Sequence, residues 1–523
     1  MIGNSPPEWA LIQFFILIFR FTPLLYLVAL FALLTHSVYD PLSQHTVAVP
    51  ILLLLLLVEA VFYVFLYRPH LLRATRPAAP PSARLTAPQR QALFRRCLAH
   101  ARDPALYLRG WFLNAPLADI HRDNVREFLL WAFFEAEEEG EEKEELAEAK
   151  VVELDGYVAE LGDRLGHRFA PGRGKAMSLR LTLDPVKTTY RGLAWYGVMA
   201  LIDAVTCALL WGHGFRFYGR GSAAEVLKTF PPRPQELLSR RKSPAPALGY
   251  WYYGPSPSSA DRPPKSAGAK TAEQLPLVFF HGIGVGLLTY LRFLFDLVRA
   301  AKACSKKDAN SLGIIAVEML PVSFRLTAPP LDKRAFLAAF TAIIDAHGWD
   351  DFGIVSHSYG SVPTTHVLTA DDAGLRRRAR AATLVDPVTV LLQLPHVAYN
   401  FTRRPPRTAA EWQLWYFAST DVGVATVLGR HFFWRDNIVW KEDLLRLPGG
   451  GRRKVAVSLA AKDIIVNAPA VAQYLQETKD AVADGTTELE VGLLWFPKLD
   501  HAQVFDTPSD YNKIIKCVLA HDD

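Results

Sequence analysis

Residues 355–361, VSHSYGS, place three serines and a histidine directly after an apolar run. A serine hydroxyl is a weak nucleophile until a base takes its proton, and that base needs a third group to orient it. A sharp turn between a strand and a helix can present such a serine. There its oxygen stands clear and the helix N-terminus favours developing negative charge. The turn demands small residues two positions before and two after the nucleophile, because strand and helix pass closely. Around Ser358 these are Ser356 and Gly360, with Ser356 where glycine is more usual. Ser361 falls inside the helix, so Ser358 is the serine in register.

Partners for Ser358 lie far off in the sequence. Upstream, His281-Gly282 closes an apolar run and opens the loop HGIGVG. A backbone N–H of that loop, from Ile283, can face the N–H of Tyr359 to form an oxyanion hole. As a nucleotide loop the same stretch reads G-x-G-x-G, without the full G-x-G-x-x-G spacing. Downstream, Asp463 follows KVAVSL in AAKDIIV, and His501 follows LEVGLLWF in PKLDHAQVF. The order Ser358, Asp463, His501, each just past a strand's C-terminal end, is one in which serine, acid and base occur in sheet-based hydrolases. Asp386 in LVDPV is the rival acid, also at a strand end. His281 is expected to brace the oxyanion loop, and His357 to pack beside the turn.

These residues need a scaffold, and from 275 onward the sequence supplies one. LPLVFF (275–280), GIIAVEMLPVSF (313–324), FGIVS (352–356), ATLVD (382–386), KVAVSL (454–459) and LEVGLLWF (489–496) read as strands. Residues 332–347 read as an amphipathic helix, with Phe336, Leu337, Phe340, Ile343 and Ile344 on one face and Gly348 as its stop. Alternating strands and helices imply a mostly parallel sheet covered by helices.

With His281-Gly282, the SHSYGS turn, the AAKD turn and the LDH turn in place, residues from about 250 to 523 resemble an α/β-hydrolase fold protein. The likeness is to membrane-anchored serine hydrolases of the lipase/esterase type. It implies an eight-stranded, mostly parallel sheet with helices on both faces and a lid after the sixth strand. That lid is residues 391–450, carrying Tyr399, Phe401, Trp412, Trp415, Phe432, Phe433 and Trp440. Aromatic residues there suit an apolar substrate, though core packing recruits them too. The implied activity is hydrolysis of lipid-like carboxylic esters through an acyl-enzyme, with no cofactor and no metal. Two alternatives stay open. His501 to Asp506 spells H-x-x-x-x-D, which some relatives of this fold share with acyltransferases, and a catalytically silent scaffold can keep the fold.

The rest of the chain concerns place. Half of its 523 residues are apolar, which disfavours disorder, and the length exceeds one ordinary domain. The net charge of +6 is scattered, without an aromatic-interleaved basic face, and nucleic-acid binding is not expected. The expected partners are membrane lipids and a lipid-ester substrate; protein partners are left open. Four separated cysteines (Cys97, Cys207, Cys304, Cys517) give neither a disulfide framework nor a cysteine zinc site.

Residues 10–34 and 47–67 are apolar runs, each long enough to cross a hydrocarbon core of about 30 Å, and the link between them suits a hairpin. Arg68, Arg73 and Arg76 follow the second run while the link holds no Lys or Arg, so both chain ends are expected in the cytosol. There the Asn400-Phe-Thr sequon stays unmodified. An endoplasmic-reticulum or lipid-droplet-associated membrane is the working assignment for the organelle. Arg20 and Glu59 lie at similar depth and can pair; the alternative is that Arg20 reaches its near interface. Residues 193–215 are ambiguous between a third span and a helix buried in protein or lying in the interface, because Asp203 sits mid-run. The chain thus divides into a hairpin (1–70), a linker and mainly helical region with an acidic arm (71–250), and the hydrolase-like domain (251–523).

Overall fold

Eight strands make one sheet: β1 (Arg216–Tyr218), β2 (Tyr250–Tyr253), β3 (Leu277–Phe280), β4 (Ile314–Val317), β5 (Phe352–His357), β6 (Ala379–Val385), β7 (Lys454–Ala460) and β8 (Gly492–Phe496). The computed structural model describes residues 2–39, 47–78, 85–134, 148–221, 226–255, 275–304, 312–477 and 491–520. Most of the acidic arm, at 135–147, lies outside the described residues, as does 256–274.

The strands alternate apolar residues between two buried faces. In β3, Leu277 and Phe279 enter one hydrophobic layer while Val278 and Phe280 enter the other. β4 repeats this with Ile314 and Ala316 against Ile315 and Val317. Apolar side chains on both faces are what a parallel sheet covered on both sides requires. On one face lie α4 (Leu291–Cys304) and α7 (Pro508–Leu519); on the other lie α5 (Lys333–Ala346) and α6 (Ser361–Leu368). The strand order is β1-β2-β4-β3-β5-β6-β7-β8, with β1, β2 and β4 antiparallel and the remaining pairs parallel. This is the α/β-hydrolase fold.

Two boundaries differ from the sequence reading. The sheet begins at Arg216, inside the region read as mainly helical (71–250), because β1 pairs along β2 and extends the antiparallel edge. The linker read at the start of 71–250 instead closes one helix at Ala74 and opens another at Ala87. Thr86 starts that second helix with a capping box to Gln89, whose Oε1 accepts from the Thr86 N–H at 2.9 Å.

Among the described residues, three helices are long and apolar enough to cross a membrane: α1 (Pro6–Tyr39), α2 (Ala48–Ala74) and α3 (Leu193–Gly212). α1 and α2 pack on each other, and most of their exposed large side chains are leucine, valine and phenylalanine. Their inner faces meet the part of the chain that carries the sheet. Ile12 and Ile16 pack on Tyr416, and the Ile2 N–H donates to Gln413 Oε1 at 2.8 Å. Glu59 is not the partner of Arg20. Its carboxylate accepts from Tyr190 Oη and from the Leu193 N–H at 3.1 Å, capping α3, while the Arg20 guanidinium lies over the Phe21 ring. A helix start offers N–H groups without intrahelical acceptors, and a buried carboxylate is well served there.

Candidate active site

β5 runs straight into a tight turn at Ser358, whose φ is +52°, and then into α6. A serine in left-handed backbone is strained and persists only where its surroundings fix it. They do so by proximity. A Cβ on Gly360 would stand 2.2 Å from the Phe280 carbonyl oxygen, and one on Gly282 would stand 2.8 Å from His357 Nδ1. Ser361 clamps the turn, its hydroxyl donating to the Ser358 carbonyl at 2.6 Å and accepting from the Val388 N–H at 3.2 Å. Ser356 is fully buried, and its hydroxyl has no hydrogen-bond partner among the described residues.

Ser358, His501 and Asp463 come together from three strand ends. His501 Nε2 lies 2.8 Å from Ser358 Oγ, and His501 Nδ1 lies 2.7 Å from Asp463 Oδ2. The other carboxylate oxygen of Asp463 accepts from the N–H groups of Ile465 (2.7 Å) and Val466 (2.9 Å), which fixes its plane. Burial pushes the His501 imidazolium toward deprotonation. The charge and hydrogen bond of Asp463, with Asp386 and Asp500 behind, outweigh burial and raise its pKa above the ordinary histidine value.

Asp386 sits one layer back. Its carboxyl accepts from the N–H groups of Ala460 (2.9 Å) and Ala502 (3.0 Å). It thereby ties the end of β7 to the loop that carries His501. Burial, and then the nearby Asp463 charge, push its pKa up to about 7.

The loop after β3 is held from both sides. His281, fully buried, accepts from the Met319 N–H at Nε2 (2.9 Å) and faces its neighbour's carbonyl, Gly282 O, at Nδ1 (2.7 Å). Burial lowers its pKa to about 4, so it stays neutral. The Gly282 N–H donates to Tyr290 Oη and the Gly284 N–H donates to the Val322 carbonyl. Between them, the Ile283 N–H has no partner among the described residues. The Tyr359 N–H belongs to the first helical turn, which has no acceptors of its own for such groups. His357 is 2.7 Å from Tyr290 Oη and packs against the His501 ring, 5.1 Å between centroids.

Ser358 opens into an apolar cavity of about 40 Å³. Ile283 and Tyr359 line one end and the segment between β6 and β7 lines much of the rest, through Val388, Leu392, Phe401 and Phe432. Of the seven aromatic residues singled out in that segment, only Phe401 and Phe432 line it. Trp412 and Trp415 turn to α1, and Trp440 stacks on Arg96. Trp111, Trp131 and Leu181, from the helical region, complete the wall. Sequence reasoning missed these three. A second cavity of about 150 Å³ lies against Tyr359 and is bounded by Met319, Leu320, Phe336 and His366.

No protein-family model matches the sequence, and no curated protein does. Among solved structures, the chain is similar to a membrane phospholipase A described as a bacterial virulence factor. That similarity has 11% identity and a TM-score of 0.36, over 62% of this chain and 93% of that one. Carboxylesterase CesB from Bacillus subtilis gives 12% identity and a TM-score of 0.33, over 62% and 98%. A 2-hydroxy-6-oxo-6-phenylhexa-2,4-dienoate hydrolase from Rhodococcus gives 13% and 0.31, over 52% and 94%. Likeness this remote says nothing of substrate.

Proposed function

We propose that this chain is a membrane-anchored serine hydrolase that cleaves carboxylic esters of lipid-like substrates. The observation that carries the reading is the continuous relay from Asp463 through His501 to Ser358, at 2.7 and 2.8 Å, opening into an apolar cavity. In this reading Ser358 Oγ attacks the ester carbonyl carbon as its proton passes to His501 Nε2. The N–H groups of Ile283 and Tyr359 hold the oxyanion that forms. Collapse of the intermediate expels the alcohol, which takes the proton from His501 and leaves an acyl-serine. Water, deprotonated by His501, then releases the acid and restores the serine.

Asp463 keeps the His501 proton on Nδ1, which leaves Nε2 able to accept. The surrounding wall of Leu392, Phe401, Phe432, Trp111 and Trp131 favours an aliphatic acyl group and offers no charged side chain to a polar one. The α1–α2 hairpin holds this site beside a bilayer, where such acyl groups are concentrated.

A fluorophosphonate probe tests the reading. The purified full-length chain is expected to label, and Ser358→Ala to abolish labelling and cut ester turnover by several orders of magnitude. Folded wild type that fails to label would make the chain a silent scaffold. Product analysis with an added alcohol acceptor separates hydrolysis from acyl transfer.

A further inference from the structure

α3 has the length and composition of a span, with a mean hydropathy of 1.8, yet its side chains are divided sharply between two faces. Trp195, Tyr196, Met199, Asp203, Thr206, Cys207 and Leu210 are buried, at the three- and four-residue spacing of one helix face. At the centre of that face Asp203 pairs with Arg325 at 2.8 Å and lies 3.5 Å from Arg233. Arg233 in turn pairs with Glu318, just past β4, at 2.6 Å. These buried charges hold α3 against the catalytic half along its middle, so it cannot leave that surface to cross a bilayer alone.

Its opposite face is Gly197, Val198, Leu201, Ala204, Val205, Ala208, Leu209 and Trp211, all exposed and without one charged or hydrogen-bonding aliphatic side chain. Leu201 is 64% exposed. A helix face turned to water is ordinarily polar.

The start of α3 settles which apolar medium is close by. Its first N–H donates to Glu59, well inside α2, and Trp195 and Tyr196 pack on Phe19 and Phe62 of the hairpin. Glu59 stands eight residues before Tyr67, where the apolar run ends, so α3 begins about 12 Å inside that end of the run.

From this geometry we propose that the bare face of α3 lies in the lipid of the leaflet from which the hairpin emerges, seating the catalytic half in the membrane surface. The partner is the acyl region of the bilayer. This rests on the hairpin being in a bilayer, the anchor assumed in the function proposed above.

The test uses the full-length chain in phosphatidylcholine nanodiscs, with Cys304 and Cys517 replaced and the buried Cys97 and Cys207 kept. One nitroxide is placed at Leu201, Val205 or Leu209, with Leu27 and Leu54 as hairpin controls and Asp351, in the turn before β5, as the water control. Collision rates with oxygen and with a water-soluble nickel chelate are compared. The α3 labels are expected to match the hairpin controls, with an oxygen-to-nickel ratio at least tenfold above that at Asp351. If they match Asp351 while Leu27 and Leu54 stay in lipid, the inference falls and the anchor stands. If Leu27 and Leu54 are in water, both fall. Dipolar broadening between α3 labels that vanishes on dilution with unlabelled chain would show a second copy covering the face, which also overturns it. The three positions are exposed and read separately, so one poorly folded variant leaves two.

Discussion

Replacing Asp463 with asparagine tests how His501 is oriented. Asp463 Oδ1 accepts from two backbone N–H groups, at 2.7 and 2.9 Å, while Oδ2 faces His501 Nδ1 at 2.7 Å. Asparagine has one acceptor oxygen and one NH2. Turning the NH2 toward the two backbone donors would leave both unpaired, at about 1–3 kcal/mol each. The oxygen therefore stays with the backbone, and the NH2 donates to Nδ1. The imidazole proton is driven to Nε2, where it faces Ser358 Oγ and blocks the transfer that starts the reaction. A wrong tautomer of this kind costs about 10,000-fold in kcat, or about 5.5 kcal/mol of barrier. No cavity-lining side chain changes, so KM should move little. Initial rates on a water-soluble p-nitrophenyl ester, with fluorophosphonate labelling rates measured in parallel, are the assay. Both should fall together, and Asp463→Ala, which imposes no tautomer, should fall less than Asp463→Asn. An asparagine variant within tenfold of wild type would refute the argument and move the acid to Asp386.

Asp386→Asn should keep kcat within about tenfold, since Asp386 accepts from the backbone N–H groups of Ala460 and Ala502 while Asp463 holds His501 Nδ1. It should also change the stability profile. The folded chain holds the Asp386 proton up to about pH 7, against 3.8 for the unexposed-to-field value of the unfolded chain, so this residue's contribution falls as pH rises between those values and is level above. The melting temperature of Asp386→Asn relative to wild type should therefore climb from pH 4 to 7 and then flatten. Tyr359→Ala removes the ring between the two cavities but keeps the backbone N–H, and kcat/KM should shift toward longer acyl chains. Room for two more methylenes corresponds to roughly tenfold in the long-to-short ratio, read from an ester chain-length series. Asp203→Asn leaves Arg325 and Arg233 short of a buried countercharge and should cost about 3–5 kcal/mol, seen as a lower melting temperature of the detergent-solubilised chain.

What the sequence revealed of the fold and site tracks how local each signal is. Ser358 is legible because the turn must have Ser356 and Gly360 beside it, and Asp463 and His501 because each follows a run that can only be a strand. β1 and β2 were hidden because RFY and YWYY are too short to show alternation, and every residue of YWYY is aromatic. Trp111, Trp131 and Leu181 were hidden for another reason. They stand in a region whose apolar residues mark an inward face without saying that the far side of that face is the cavity beside Ser358. Glu59 shows the limit most plainly. Depth along the hairpin pointed to Arg20, since side-chain charges are what a sequence displays. The partners it has are the Tyr190 hydroxyl, 131 residues away, and a backbone N–H at the start of α3, a donor every helix carries and no residue letter announces. The same bond explains why α3 is hard to classify by composition. Its apolar letters serve two faces at once, one packed on protein around Asp203 and one bare, and only the position of Asp203's arginine partners tells them apart.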